Sequence, residues 1–258
     1  MSVPVPAFET NGNGPAVLML HGIGGGRRSF APQMLALADR YRLIAWDMPG
    51  YGNSAPLREM TWATLADSAI ALADHLDVGR FHLLGHSMGG MVAQEVAQRY
   101  PDRLRSLILA GTSASFGGPT EEFKTKFLAA RLTPLDQGKT PGDIAPELVR
   151  GMVGDDPDTE GVATAIDSMR AISPAAYRQA LHCLVSFDRR AALAAIAVPT
   201  LLIAGEKDKV APPAGMRKMS EKIAGSRYTE LLGAGHLMNL ERPVAFTAAV
   251  AGFLDRLA

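Results

Sequence analysis

Short apolar runs recur along the chain, and each ends at a glycine, an acidic residue or another turn residue. Runs of this length between turn residues are typical of strands that are buried on both faces of a parallel sheet. The six runs are Ala16–Leu20, Arg42–Trp46, Phe81–Leu84, Ser106–Ala110, Thr200–Ala204 and Tyr228–Leu232.

Between most of these runs the apolar positions recur with a helical period. The helical patterns are Phe30–Arg40, Thr61–Leu76, Met88–Tyr100, Pro213–Ala224 and Pro243–Leu257. Alternation of strand and helix patterns predicts an α/β fold with a doubly wound, mostly parallel sheet.

The alternation stops between Ser113 and Pro199, where no strand run appears and prolines are frequent. Its segments Glu121–Arg131 and Pro174–Val185 have helical patterns, and a structureless loop of this length is uncommon in a compact domain. We therefore predict a core made of residues 1–112 and 199–258, with a helical insertion at 113–198. Ligands of open α/β sheets bind outside the carboxyl ends of the strands, so an insertion there would form a lid.

Composition restricts the classes of function. The chain has 258 residues, of which 47% are hydrophobic and 20% charged, as in a soluble globular protein. Lys and Arg number 26, and so do Asp and Glu. The formal net charge is therefore zero, which argues against general nucleic-acid binding.

Cellular location is predicted from cysteine usage and from the absence of targeting patterns. Cys183 is the single cysteine, which excludes an intrachain disulfide and suits a reducing compartment. The first residues lack the pattern of a signal peptide, and the longest apolar stretch is too short to span a bilayer. We expect a cytoplasmic protein without a membrane partner. The sequence leaves open whether it forms a homo-oligomer.

The segment Phe81–Tyr100 contains a Gly-x-Ser-x-Gly motif between a strand run and a helical pattern. A chain that turns so sharply from strand to helix leaves the central serine, Ser87, strained and exposed at the edge of the sheet. Gly85 and Gly89 are needed because a side chain there would collide with neighbouring backbone. The motif predicts that Ser87 is a catalytic nucleophile.

A serine nucleophile needs a base, and the base needs an orienting acid. Among the six histidines, His236 follows a strand run and lies in a glycine-rich loop near the chain end, so we predict that it is the base. Glu206 and Asp208 both follow the run Thr200–Ala204, and either could be the acid.

The oxyanion of a tetrahedral intermediate needs backbone donors. One is expected to be the N–H of Met88, directly after the serine, and the other that of Ile23 in the loop after an earlier strand. The substrate-binding residues that we predict are Gly22, Gly24, His86 and Leu237.

Five motifs together resemble the α/β-hydrolase superfamily, over nearly the whole chain. In order they read LHGIGGG, DMPGYGNS, GHSMGG, GEKD and GAGHLMNLERP. The resemblance implies an α/β-hydrolase fold with Ser87 as nucleophile, His236 as base and Asp208, the last residue of GEKD, as acid. It also implies that the family's first strand lies within Val3–Phe8.

Among members with a lid, the chain is similar to 3-oxoadipate enol-lactonases, carboxylesterases and the C–C hydrolases of meta-cleavage pathways. This similarity implies hydrolysis of a small ester or lactone through an acyl-enzyme. C–C hydrolases, which cleave vinylogous diketones, commonly have Asn before the nucleophile and Trp after the histidine. Here His86 and Leu237 take those places, which disfavours that alternative. A non-catalytic, receptor-like member of the fold is the second alternative, since fold alone does not decide function.

No cofactor or metal is expected. Gly22-x-Gly24 follows a strand run, but Arg27 replaces the third glycine of a dinucleotide fingerprint, and no HExxH motif or Cys/His cluster occurs.

Several arginines lie in or beside the insertion. They are Arg131, Arg170, Arg189 and Arg190. We expect at least one of them to select acidic substrates by forming a bidentate pair with a carboxylate.

Overall fold

A single sheet runs through the core of the computed structural model, which describes residues 3–117 and 121–257. Its strands are β1 (Phe8–Asn11), β2 (Ala16–Leu20), β3 (Arg42–Trp46), β4 (Phe81–His86), β5 (Leu104–Ala110), β6 (Thr200–Gly205) and β7 (Arg227–Leu231). Their spatial order is β1-β3-β2-β4-β5-β6-β7. Only β1 is antiparallel to its neighbour, so the prediction of a mostly parallel sheet is confirmed.

Helices cover both faces of the sheet. Outside the insertion they are α1 (Ala31–Ala36), α2 (Trp62–His75), α3 (Met88–Arg99), α8 (Pro213–Lys222), α9 (Met238–Glu241) and α10 (Pro243–Leu254). Short 3-10 helices occupy Arg27–Phe30, Pro101–Arg103 and Arg190–Ala195. Buried side chains of α1 and α10 pack on one face, and those of α2, α3 and α8 pack on the other. This arrangement confirms the doubly wound fold.

Between β5 and β6 the chain is helical, as predicted for the insertion. It forms α4 (Glu121–Asp136), α5 (Pro141–Arg150), α6 (Thr159–Arg170) and α7 (Pro174–Leu184). In the part of 113–198 that the structure describes there is no strand, only an isolated bridge between Ser115 and Asp188. Helix α4 continues past its expected end at Arg131 and ends at Asp136, with Pro134 in its last turn.

The first strand is not where the resemblance places it. We expected it within Val3–Phe8, whereas it begins at Phe8 and ends at Asn11, with Phe8 opposite Trp46. Pro4 and Pro6 lack the N–H groups that a strand ladder needs, so pairing begins beyond them.

The parallel register brings several loops together. Leu20 at the end of β2 lies opposite Gly85, and His86 at the end of β4 lies opposite Ala110. The loops that follow β2, β4, β5, β6 and β7 therefore meet at the carboxyl edge of the sheet, where ligands of such sheets bind.

Candidate active site

Ser87 lies in a sharp turn between β4 and α3. Its backbone has φ 54° and ψ −120°, a conformation that few residues other than glycine adopt. Neighbouring backbone comes close on both sides: a Cβ at Gly85 would overlap the Gly89 carbonyl, and one at Gly89 would overlap that of Leu20. The turn therefore keeps the serine at the carboxyl edge of the sheet, where it borders a cavity.

The loop after β7 brings His236 onto the serine. His236 Nε2 is 2.9 Å from Ser87 Oγ, and Nδ1 is 2.8 Å from Asp208 Oδ2. A carboxylate can only accept, so Nδ1 carries the proton and donates to Asp208. Nε2 is then free to accept the hydrogen bond of the Ser87 hydroxyl, which is the arrangement that proton abstraction requires.

Asp208 is held in the loop after β6. Its Oδ1 accepts hydrogen bonds from the N–H groups of Val210 (2.7 Å) and Ala211 (2.9 Å). Burial alone would raise the pKa of the carboxyl, but the charge and hydrogen bond of His236 and the two N–H donors outweigh it, and the pKa is lowered. The carboxylate thus stays ionised beside the imidazole.

The alternative acid, Glu206, faces away from His236. Its carboxylate is exposed and accepts a hydrogen bond of 2.8 Å from the N–H of Gly233. Of the two carboxylates that follow β6, only Asp208 is in contact with the imidazole.

His86 holds the loop that carries His236. Its Nε2 donates a hydrogen bond of 2.7 Å to the main-chain oxygen of His236, and the two rings lie 5.1 Å apart between centroids. Burial, followed by the neighbouring His236, lowers the pKa of His86 to about 3. The ring is therefore neutral at ordinary pH. It also lies on the cavity wall with Leu237, next to the serine.

The loop after β2, in which one of the two oxyanion donors is expected, lies beside the serine. Gly22, Ile23 and Gly24 all border the cavity beside Ser87. Within residues 3–117 and 121–257, the N–H groups of Ile23 and Met88 have no acceptor assigned to them. They remain available to a ligand.

Two residues that hold this loop were missed in the sequence. His21, which is fully buried, donates from Nδ1 to Gly22 O (2.8 Å) and accepts at Nε2 from the N–H of Met48 (2.9 Å). Tyr51 donates from its hydroxyl to Ile23 O (2.9 Å). His21 follows a strand just as His236 does, and that position was the available signal.

A buried carboxylate, Glu241, was missed as well. Its Oε2 accepts a hydrogen bond of 2.6 Å from the N–H of Gly154 in the insertion. Nearby, His236 donates its backbone N–H to Met152 O at 2.6 Å. Burial raises the pKa of Glu241, although the N–H groups of Gly154, Gly235 and Leu237 oppose this. The insertion is thus bonded directly to the loop that carries His236.

A cavity of about 330 Å³ lies between the strand ends and the insertion. One wall is formed by Ser87, His236, the Gly22–Gly25 loop and Leu237. The other is formed mainly by apolar side chains of the insertion, among them Phe127, Val149, Met152, Ala165, Met169 and Leu184. Of the four insertion arginines singled out in the sequence, only Arg131 borders this cavity. The size and the apolar character of the cavity suit a small organic molecule.

Among the residues described, no group of three or more His, Cys, Asp or Glu side chains is placed to hold a metal ion. Within that part of the chain, no helix combines the length and apolar character needed to cross a bilayer.

Comparison with known proteins agrees with this geometry. The sequence pattern of the alpha/beta hydrolase fold family matches residues 15–243. The chain belongs to the α/β-hydrolase family. It is 30% identical to 3-oxoadipate enol-lactonase 2 of Acinetobacter baylyi over 94% of this chain and 89% of that protein. It is 32% identical to the pimeloyl-[acyl-carrier protein] methyl ester esterase of Neisseria meningitidis serogroup B, over 93% of this chain and 92% of that protein.

A solved structure of the family is similar over nearly the whole chain. The thermophilic esterase of Thermogutta terrifontis, determined with malate bound, superimposes with a TM-score of 0.89 and 30% identity. The match covers 97% of this chain and 93% of the esterase. The α/β-hydrolase fold expected from the motifs is therefore confirmed.

Proposed function

We propose that this protein is a serine hydrolase that cleaves a small carboxylic ester or lactone by forming an acyl-enzyme. The observation that carries the proposal is the unbroken chain of hydrogen bonds from Ser87 through His236 to Asp208, with Ser87 opening onto an apolar cavity. The enol-lactonase and methyl ester esterase names of the two relatives support the ester and lactone class.

Acylation begins at the serine hydroxyl. Ser87 Oγ attacks the carbonyl carbon while its proton passes to His236 Nε2, and Asp208 stabilises the imidazolium that forms. The N–H groups of Ile23 and Met88 hold the oxyanion. When the C–O bond breaks, His236 returns the proton to the departing alcohol oxygen, and the acyl group stays on Ser87.

Deacylation repeats these steps with water. His236 takes a proton from the water as its oxygen attacks the acyl carbon, and then protonates Ser87 Oγ as the ester bond to the enzyme breaks. The product is a carboxylic acid. From a lactone, the alcohol formed in the first step remains part of the same molecule, and the product is a ring-opened acid.

We further propose that the insertion, residues 113–198, acts as a lid on a core made of residues 1–112 and 199–258. Its helices form most of the apolar wall of the cavity, and its hydrogen bonds to Glu241 and His236 come from the short connection before α6, through Met152, Gly154 and Asp158. A wall of this origin excludes water from the acyl-enzyme until the leaving group has departed.

A fluorophosphonate probe tests the nucleophile. The native protein should be labelled once, at Ser87, and both Ser87→Ala and His236→Ala should suppress labelling. Ser113→Ala is the matched control, because Ser113 borders the same cavity but bonds to Ser115 O and should leave labelling intact.

Turnover on ester, lactone and diketone substrates is measured beside the labelling. Hydrolysis of esters or lactones that is lost in Ser87→Ala supports the proposal. Labelling without any turnover would indicate a receptor-like protein, and turnover confined to diketones would indicate a C–C hydrolase. No labelling of the folded protein, while a serine esterase reacts under the same conditions, would overturn the assignment of Ser87.

A further inference from the structure

The charges on the cavity wall are all of one sign. Two cationic side chains, Arg131 and Lys209, border the cavity, and no Asp or Glu does so among the residues described. Asp208 lies behind His236 and is engaged by it. A cavity of low polarity with unopposed cations attracts an anion, because the interaction is only weakly screened there.

Arg131 projects from α4 and is held by its neighbours. Its guanidinium carbon lies 3.6 Å from the centre of the Phe127 ring, and its Nη1 donates a weak hydrogen bond of 3.3 Å to Phe127 O. The hydroxyl of Tyr177, on α7, is a second hydrogen-bond partner of the guanidinium. The side chain is thus oriented, yet most of its five N–H donors have no partner among the described residues.

Four other arginines of the insertion are paired with acids, and the remaining one, Arg150, is exposed to solvent. The pairs, all between 2.6 and 2.9 Å, are Arg170–Asp167, Arg178–Asp136, Arg189–Glu95 and Arg190–Asp188. For Arg131, no carboxylate of the described chain comes within 4.0 Å. A guanidinium that is largely shielded from water and lacks a counter-ion is unfavourable, and a ligand carboxylate would supply that counter-ion.

We propose that Arg131, with the Tyr177 hydroxyl beside it, binds a carboxylate that the substrate carries in addition to its scissile ester or lactone bond. This inference rests on the proposed hydrolase function and narrows its substrates to anionic ones. A planar guanidinium stacked on Phe127 presents a fork of donors that matches the two oxygens of a carboxylate. Lys209 is exposed and adds a less directional attraction at the mouth of the cavity.

A matched pair of substrates isolates the charge. Mono-4-nitrophenyl glutarate and 4-nitrophenyl pentanoate have acyl chains of equal length, but only the first ends in a carboxylate. In Arg131→Met we expect KM for the glutarate ester to rise about 10- to 100-fold, with a small change in kcat and none in KM for the pentanoate ester. Arg131→Lys should recover part of the loss. Arg170→Met, which removes an exposed and paired arginine, should change neither substrate.

Binding measured without turnover separates this inference from the proposed function. Dicarboxylates from succinate to suberate are titrated into Ser87→Ala and into the Ser87→Ala/Arg131→Met double variant, with melting temperature as the readout. At least one chain length should bind about tenfold or more weakly to the double variant. Absence of turnover in the native enzyme would overturn the hydrolase function alone. Equal binding at every chain length, or equal losses of Arg131→Met on both esters, would overturn the role of Arg131.

Discussion

The two walls of the cavity are held together in different ways. On the sheet side, polar groups are fixed by short hydrogen bonds to backbone or to each other, as in His86 on the wall and in Asp208 and His21 behind it. On the insertion side, apolar side chains pack together, with Arg131 the one charged group that this wall contributes among the described residues. The hydrogen-bonded wall fixes atoms to within tenths of an ångström, whereas a packed apolar wall tolerates changes of size and shape.

This difference separates two tasks. Groups that move a proton must be aligned in every turnover whatever the substrate is, so they belong to the rigid wall. Groups that choose the substrate can vary without harm to the chemistry, and an insertion between two strands is where such variation is tolerated. Changes to the sheet wall should therefore lower kcat for every substrate, and changes to the insertion wall should alter KM for some.

Among the tests of this comparison, Asp208→Asn should have the largest effect on kcat. The amide can donate to His236 Nδ1 and so favour the wrong tautomer, in which Nε2 cannot take the proton of Ser87. We expect kcat to fall by about 10⁴-fold on both the anionic and the neutral ester. Glu206→Gln is the control and should stay near the native rate. A crippled Glu206→Gln beside a near-normal Asp208→Asn would reverse the assignment.

A fall in pH should have an intermediate effect, in this case on the stability of the fold. The pKa of His86 is lowered by burial to about 3, against 6.5 for an ordinary histidine, so the unfolded chain binds this proton more readily than the native state does. Stability from this group is fully present above pH 6.5. It declines as pH falls from there towards the folded pKa, by up to about 1.4 kcal/mol for each pH unit.

Denaturant unfolding between pH 8 and pH 4 measures this effect. His86→Gln keeps a nitrogen that can donate to His236 O, and it should reduce the loss of unfolding free energy between those limits. His182→Gln, at an exposed site on α7, should leave the pH dependence unchanged. If the dependence were unaltered in His86→Gln, the buried imidazole would not be the group responsible.

The smallest effect is expected from Tyr51→Phe. Removing its hydroxyl frees Ile23 O and loosens the oxyanion loop, at a cost of about 1 kcal/mol in transition-state stabilisation, or roughly fivefold in kcat. The loss should be the same on both esters, with KM unchanged. Tyr41→Phe, whose hydroxyl bonds to Asp255, is the control. A loss confined to KM, or to one ester, would contradict the division between the walls.

The local pattern of hydrophobic and polar residues was enough to predict most of the strands and helices. Strand runs such as Arg42–Trp46 and helices such as Met88–Arg99 lie within a residue or two of their expected ends, because hydrophobic periodicity and capping act over a few neighbouring residues. The strand at Phe8–Asn11 was misplaced, because an edge strand with one partner has a weak pattern of its own.

The sequence by itself determined the strands, the helices of the insertion and the glycine-flanked turn at Ser87, since each is encoded in a pattern of residues that are close neighbours in the chain. Only the tertiary structure decided what His21 and Glu241 hold and which arginine faces the cavity. It also gives the contact between Asp208 and His236, which in the sequence rested on the resemblance of GEKD alone. Each of these depends on segments far apart in sequence, such as Ser87 and His236, and on the rotation of α4 about its axis. A helix of low amphipathicity such as α4 does not encode that rotation in its own residues, because packing against neighbouring helices sets it.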